Sequence, residues 1–267
     1  MGGTVTGTPV STPTITPGIT TYRDLRYLFV ARSGRYDLIN SDYTDNGADF
    51  FFNEGQKMLD RMFGDGKAFA RYPVSIAAGT IKVAVVGLRA VKEVWVADST
   101  GMTELVKERL NTIKNYYSGK LSDEDRDTPA YYSPAMFRPY PDTLTTLSTA
   151  GMYDVEDLVL DDTHYTYDGI IIMPPSDGVY TLTIQGLFYS PTLSATLSGG
   201  VWTQTKSFWS QVHPGTLLLA ALYKLEAFYR NREGMRDWME ALMVDVTGID
   251  YDIVERDIAG VSLEMEG

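Results

Sequence analysis

The sequence predicts an α+β protein: a helical bundle made from N- and C-terminal helices, with a β-rich lobe inserted between them. Three observations predict it. Apolar residues recur at helical spacing over 21–63 and again over 213–246, and between these stretches the period falls to two. Neither helical stretch can bury its apolar face alone, so the economical packing joins the first to the last. The expected organisation is an arm at 1–20, a bundle from 21–66 and 207–248, a lobe at 67–206 with one helix and long loops, and a tail at 249–267.

Residues 1–20 are rich in Thr and Gly, with Pro9, Pro13 and Pro17 evenly spaced, and carry too little apolar surface to fold alone. The first helix opens at Thr21, where Thr21 and Asp24 have capping-box spacing, places Leu25, Leu28, Phe29 and Arg32 on one face, and stops at Gly34. The second opens near Thr44 or Asp45 and runs to Phe63, with Ala48, Phe51, Phe52, Gly55, Leu59, Met62 and Phe63 on its apolar face. Gly55 weakens helix propensity there, which predicts that another backbone comes close.

The alternation in 67–77, 80–87 and 91–97, broken at Ala78-Gly79 and Gly87, predicts a three-stranded meander. A helix is expected over Met102–Tyr117, with Ser99 or Thr100 as its N-cap, followed by a proline-rich loop over 119–150. Strands are expected at 155–160, 164–173 and 178–189, then a Ser/Thr/Gly loop at 190–206. Pro214 opens the closing helices, whose stripes are Leu217, Leu218, Ala221, Leu222, Leu225, Tyr229 and then Met235, Trp238, Met239, Leu242, Met243, Val246, with Gly248 as the stop.

Composition excludes several function classes. With no cysteine, thiolate catalysis, disulfides and thiolate-bound zinc are absent. The two histidines, His164 and His213, lie far apart and form no ligand spacing. Lys+Arg 23 against Asp+Glu 35 leaves a net charge of −12, the wrong sign for gripping nucleic acid phosphates. No stretch has the length and apolarity of a membrane helix, and no secretory leader pattern opens the chain. Met1-Gly2 with Thr6 matches the myristoylation pattern but lacks the second signal that stable anchoring needs.

Motifs for chemistry are equally sparse. The acidic run Asp123, Glu124, Asp125, Asp127 lacks the central glycine and terminal glutamate of a calcium loop, and Asp161-Asp162 sits at a turn. Asp98-Ser99-Thr100-Gly101 joins a strand to a helix, and Gly64-Asp65-Gly66 is turn chemistry. No phosphate loop, dinucleotide fingerprint or nucleophile elbow is present. The expectation is a protein that is not an enzyme, with no catalytic, metal or cofactor residues. Aromatic residues make up 12% of the chain, and those on the long loops (Tyr131, Tyr132, Phe137, Tyr140 and Trp202) are the candidate contacts with a neighbouring subunit or a tail component.

Two stretches resemble a known family. The opening one comprises Thr21-Tyr22-Arg23-Asp24-Leu25-Arg26, Ser33-Gly34-Arg35-Tyr36-Asp37-Leu38, Asp45-Asn46-Gly47-Ala48-Asp49-Phe50 and Asn53-Glu54-Gly55-Gln56-Lys57-Met58-Leu59-Asp60. The closing one comprises His213-Pro214, Ala220-Ala221-Leu222-Tyr223-Lys224-Leu225-Glu226 and Tyr229-Arg230-Asn231-Arg232-Glu233-Gly234. Both are similar to the corresponding ends of tailed-bacteriophage head-to-tail adaptor (connector) proteins. Together they cover a third of the chain, and the β-rich middle resembles nothing in particular.

The resemblance implies a structural subunit of the virion neck, assembled in the host cytoplasm. It implies a ring, usually of twelve copies, that docks beneath the portal protein, receives the tail or nozzle protein and lets double-stranded DNA pass without specific binding. Under that implication the acidic balance becomes a possible channel lining. In such proteins a terminal segment reaches the portal, and the tail carries apolar anchors for this at Ile249, Tyr251, Ile253, Val254, Ile258 and Val261. The competing readings are another neck or tail-completion protein, or a soluble enzyme, carbohydrate-binding or cation-binding domain without a visible motif.

Overall fold

A computed structural model describes residues 21–62, 69–85, 87–97, 101–117, 124–136 and 168–259, except the side chains of Lys114, Ala135, Met136, Asp168 and 252–259. The expectations placed on 1–20, on His164, on strands at 155–160 and on Ser99 and Thr100 therefore lie outside the described residues. The protein is α+β, and it divides into two compact units. One is formed by the chain up to Phe63 together with the chain from Ser190, and the other is Gly64–Tyr189.

The first unit is mainly helical. Helix α1 (Tyr22–Ser33) is capped by the Thr21–Asp24 box and ends at Gly34 in the left-handed conformation, as its sequence predicts. A single 3-10 turn (Tyr36–Leu38) leads to α2 (Ala48–Met62), whose start is supported by Asp45 accepting a hydrogen bond from the Asp49 amide. After the second unit come α4 (Phe208–Val212), α5 (Pro214–Phe228) and α6 (Arg232–Ala259). Helix α5 is the axis of this unit and packs against α1, α2, α4 and α6. Its residues Leu217, Leu218, Ala220, Ala221, Leu222 and Leu225 share one core with Phe29, Phe52, Leu59 and Trp209. The closest approach lies at Gly55, where an added Cβ would sit 3.0 Å from the backbone of both Ala220 and Ala221. The helix-weakening glycine is therefore the residue that lets α2 reach α5.

Three expectations for this unit change. Gly248 does not end the last helix, which runs on to Ala259. Leu242, Val246 and Ile249 repeat at i, i+4 and i+7 and are all buried, so burial of Ile249, worth ~1.5–3 kcal/mol, outweighs the ~1 kcal/mol that a helical glycine costs. Tyr229 and Met243 lie on the predicted stripes yet are exposed. Residues 190–206 are not an open loop of the lobe but belong to the helical unit, where β9 (Ala195–Ser198) and β10 (Val201–Gln204) form a hairpin. Gly199 and Gly200 both have positive φ, as a two-residue hairpin turn of this hand requires.

Among its described residues the second unit has two four-stranded sheets and a helix. Its strands are β1 (Phe69–Ile76), β2 (Lys82–Ala84), β3 (Leu88–Ala97), β4 (Met102–Glu104), β5 (Val106–Lys107), β6 (Tyr131–Met136), β7 (Asp168–Met173) and β8 (Tyr180–Phe188). One sheet has the order β1-β8-β3-β4 and the other β2-β7-β6-β5. Val91, Val94, Val96, Leu182 and Ile184 of the first pack on Val83, Tyr132, Ile170 and Ile172 of the second. Helix α3 (Leu110–Tyr116) covers the opposite face of the second sheet, with Ile113 against Ile171 and Met173. The run Ile170-Ile171-Ile172-Met173 is thus buried on both faces, which explains why it is apolar throughout rather than alternating.

The predicted meander does not form, because β1 and β3 each pair with β8 while β2 pairs with β7 in the other sheet. The turn after β1, with Gly79 at positive φ, carries the chain from one sheet to the other. The single helix expected over Met102–Tyr117 is instead β4, β5 and the short α3. Thr103 and Glu104 find backbone partners in Val96 and Trp95, which local periodicity does not register. Strand β6 lies where a loop was expected. Its Pro134 is tolerated because β5 covers β6 only at Tyr131 and Tyr132, leaving that edge without a strand among the described residues.

Candidate functional site

Two buried polar junctions hold the helical unit together. In the first, the Arg26 guanidinium grips both carboxylate oxygens of Asp49 at 2.8 Å, and its remaining donors reach the carbonyls of Tyr43 at 3.1 Å and Ala195 at 3.2 Å. The Tyr22 hydroxyl donates to the same carboxylate at 2.6 Å. This junction ties α1, α2, the intervening loop and the hairpin at one point. Burial raises the Asp49 carboxyl, outweighing the Tyr22 hydroxyl and the Arg26 charge that pull it down. Burial, followed by the adjacent Asp49 charge, raises the Tyr22 hydroxyl well above its ordinary value.

In the second junction, Asn53, Gln56 and Asp60 stand at helical spacing on α2 and hold the backbone entering from the other unit's last strand. Asn53 receives the Leu193 amide at 2.8 Å and donates to the Leu193 carbonyl at 3.0 Å. Gln56 donates to the Pro191 carbonyl at 2.9 Å. Asp60 accepts the Ser190 amide at 2.7 Å, the Ser190 hydroxyl at 2.9 Å and the Trp209 indole at 2.7 Å. These residues are architectural. Asp49 is paired with Arg26, and Asp60 is buried among the donors of Ser190 and Trp209. His213 sits at the junction of α4 and α5 beside the rings of Phe208 and Trp209. Among the described residues no group of three or more His, Asp or Glu side chains is placed to hold a metal ion.

The feature best placed to meet another molecule is an aromatic row on the helical unit. Phe50 contacts Phe51 at 5.3 Å between ring centres, Phe51 contacts Phe228 at 5.7 Å, and Phe228 contacts Tyr229 at 5.2 Å. The Arg35 guanidinium lies over the Tyr229 ring at 4.1 Å while its donors are held by Asp37 at 2.7 and 2.8 Å. Phe51 is buried beneath the row, but Phe50 is 57% exposed, Phe228 63% and Tyr229 46%. Contiguous exposed aromatics of this kind mark interaction surfaces more often than scattered ones. The sequence contained a signal for part of it: Phe50-Phe51-Phe52 are three aromatics in succession on a helix, about 100° apart, so they cannot all face one core.

The candidate residues named from the sequence separate into several places. Ile249 is 5% exposed and belongs to the helical core, so it is not an external anchor. Tyr251, two residues on, is 66% exposed on α6. The side chains of Ile253, Val254 and Ile258 are not described, and Val261 lies outside the described residues. Tyr131 and Tyr132 are on strand β6, not on a loop. Tyr131 packs with Tyr116 at 6.0 Å, and Tyr132 is buried with its hydroxyl donating to the Lys92 carbonyl at 3.1 Å. Burial pushes the Tyr132 hydroxyl up to about 12. Trp202 is half-buried against the helical core with the Arg23 guanidinium 5.5 Å from its ring centre. Phe137 and Tyr140 lie outside the described residues. In comparison with known proteins, no family model matches this chain and no curated protein matches it.

Proposed function

We propose that the chain is a structural subunit of a tailed-phage neck, a head-to-tail adaptor that forms a ring beneath the portal protein, joins the capsid to the tail and surrounds part of the DNA path. The reading is carried by the two stretches that resemble adaptor proteins, Thr21–Asp60 and His213–Gly234. They are separated by about 150 residues of chain, yet they fold into a single helical unit through the contact of Gly55 with Ala220 and Ala221. Their resemblance is a packing pattern, and packing against one another is what such a pattern is for. The formal charge of −12 fits a wall that DNA slides past without sticking.

Helix α6 is the element offered to the portal in this reading. Ile249 is the last residue of its inner face among the described side chains, and Tyr251 is exposed. The test is the stoichiometry of the chain when mixed with its portal ring, measured by native mass spectrometry or electron microscopy. A ring of defined copy number on the portal supports the reading, and a strictly monomeric chain that binds no portal overturns it. A truncation for mapping the contact must end at Tyr251 rather than Gly248, because removing Ile249 would open the helical core. Loss of portal binding with an unchanged melting temperature is the expected result.

A further inference from the structure

The chain leaves the helical unit once and returns to it once, and side chains of that unit alone bring the two points together. Helix α2 ends at Met62, two residues after Asp60. The Asp60 carboxylate accepts the amide of Ser190, the first residue of the returning chain and 130 positions further on, at 2.7 Å. Asn53 pairs with the Leu193 backbone as both donor and acceptor, at 3.0 and 2.8 Å, and Gln56 donates to the Pro191 carbonyl at 2.9 Å. The three side chains stand at i, i+3 and i+7, so one side of a single helix holds Ser190–Leu193.

This grip is anchored in the core. Gln56 and Asp60 are each 2% exposed, and Leu193 is buried with Phe52, Leu59 and Trp209. Every partner in the set lies outside Gly64–Tyr189. The cores are separate as well. Phe29, Phe52, Leu193 and Leu222 belong to one cluster, and Val94, Ile170, Leu182 and Ile184 to another, with no buried residue in common among the described residues. The cost of closing a chain loop grows only with the logarithm of its length, so ends fixed in this way can carry a long unfolded loop at little further cost.

We infer that Asn53, Gln56 and Asp60 form a clasp that keeps the helical unit folded when the β-rich unit opens, so that Gly64–Tyr189 unfolds as an independent insertion. The inference does not depend on the neck reading. Its test uses the full-length chain and hydrogen exchange read by mass spectrometry, which follows the opening of each element separately. Ile170→Ala and Ile184→Ala together remove two fully buried side chains from the β-rich unit and destabilise it. Amides of β7 and β8 are expected to exchange at least about tenfold faster, while those of α5 keep the rate of the parent. Acceleration of α5 by a comparable factor overturns the inference. Asn53→Ala, at a half-buried position, then tests the clasp itself. It should speed α5 exchange about threefold more in the chain carrying both isoleucine substitutions than in the parent, where the folded β-rich unit also fixes the distance between its ends. An equal factor in the two backgrounds overturns the role of the clasp.

Discussion

Arg26 shows how much a single buried side chain decides here. It is fully enclosed and its donors reach Asp49, Tyr43 and Ala195, residues up to 169 positions away. Removing one partner of such a pair leaves a buried charge without compensation, at a cost of ~3–5 kcal/mol. Arg26→Met is therefore expected to unfold at markedly lower denaturant, and a midpoint equal to that of the parent would contradict the role assigned to the junction. Tyr132 gives a pH signature. Its hydroxyl is raised to about 12 by burial, so the unfolded chain gives up this proton first as pH rises. The stability it contributes is present below pH ~10 and is lost between ~10 and 12. Tyr22, also raised, adds to that loss. Tyr132→Phe should flatten part of this alkaline fall in chemical denaturation midpoints measured from pH 9 to 12, and an unchanged slope would count against it. Neither Arg26 nor Tyr132 was legible in the sequence as a buried polar group, because their partners are far away along the chain.

At the scale of elements, helices were legible and strand partners were not. The capping box at Thr21, the stop at Gly34, the proline opening α5 and the close approach at Gly55 all follow from local rules and all hold in the structure. Gly55 gives the cleanest test of helix packing. Alanine raises helix propensity by ~1 kcal/mol, but its Cβ would lie 3.0 Å from the α5 backbone, which cannot yield as a side-chain tip would. Gly55→Ala should therefore lower the melting temperature despite its better propensity, and a higher melting temperature would show that α2 and α5 are less tightly apposed. The errors were of one kind. Strand β8 pairs with β1 and β3, whose paired residues precede it by 84 to 118 positions (Ala97 with Thr181, Phe69 with Leu187), and β2 leaves its neighbours for the other sheet. Periodicity shows that a segment is a strand; it does not name the strand beside it. The same blindness turned β4, β5 and α3 into one expected helix, and let Gly248 pass as a stop when the apolar phase simply continues to Ile249.

For the whole molecule, the decisive feature is that the chain leaves the helical unit at Phe63 and returns to it at Ser190. On its return the backbone is received by Asn53, Gln56 and Asp60, three polar residues on one side of α2. The net charge acts at this scale as well. A charge of −12 overall repels a duplex on average, so no retardation of double-stranded DNA is expected in a gel-shift assay even at ~50 mM salt. A salt-sensitive shift would contradict both the charge argument and the proposed passive DNA path. The sequence by itself determined the α+β class, the starts of α1 and α5, the helix-to-helix approach at Gly55 and the absence of thiol chemistry, because these depend on residues close together in the chain. Only the tertiary structure decided which strands pair, that the hairpin at 195–204 belongs with the helices, that Ile249 lies in the core, and that Phe50, Phe228 and Tyr229 form one exposed row. The reason is that burial and pairing are properties of two surfaces, and a linear sequence displays only one of them at a time.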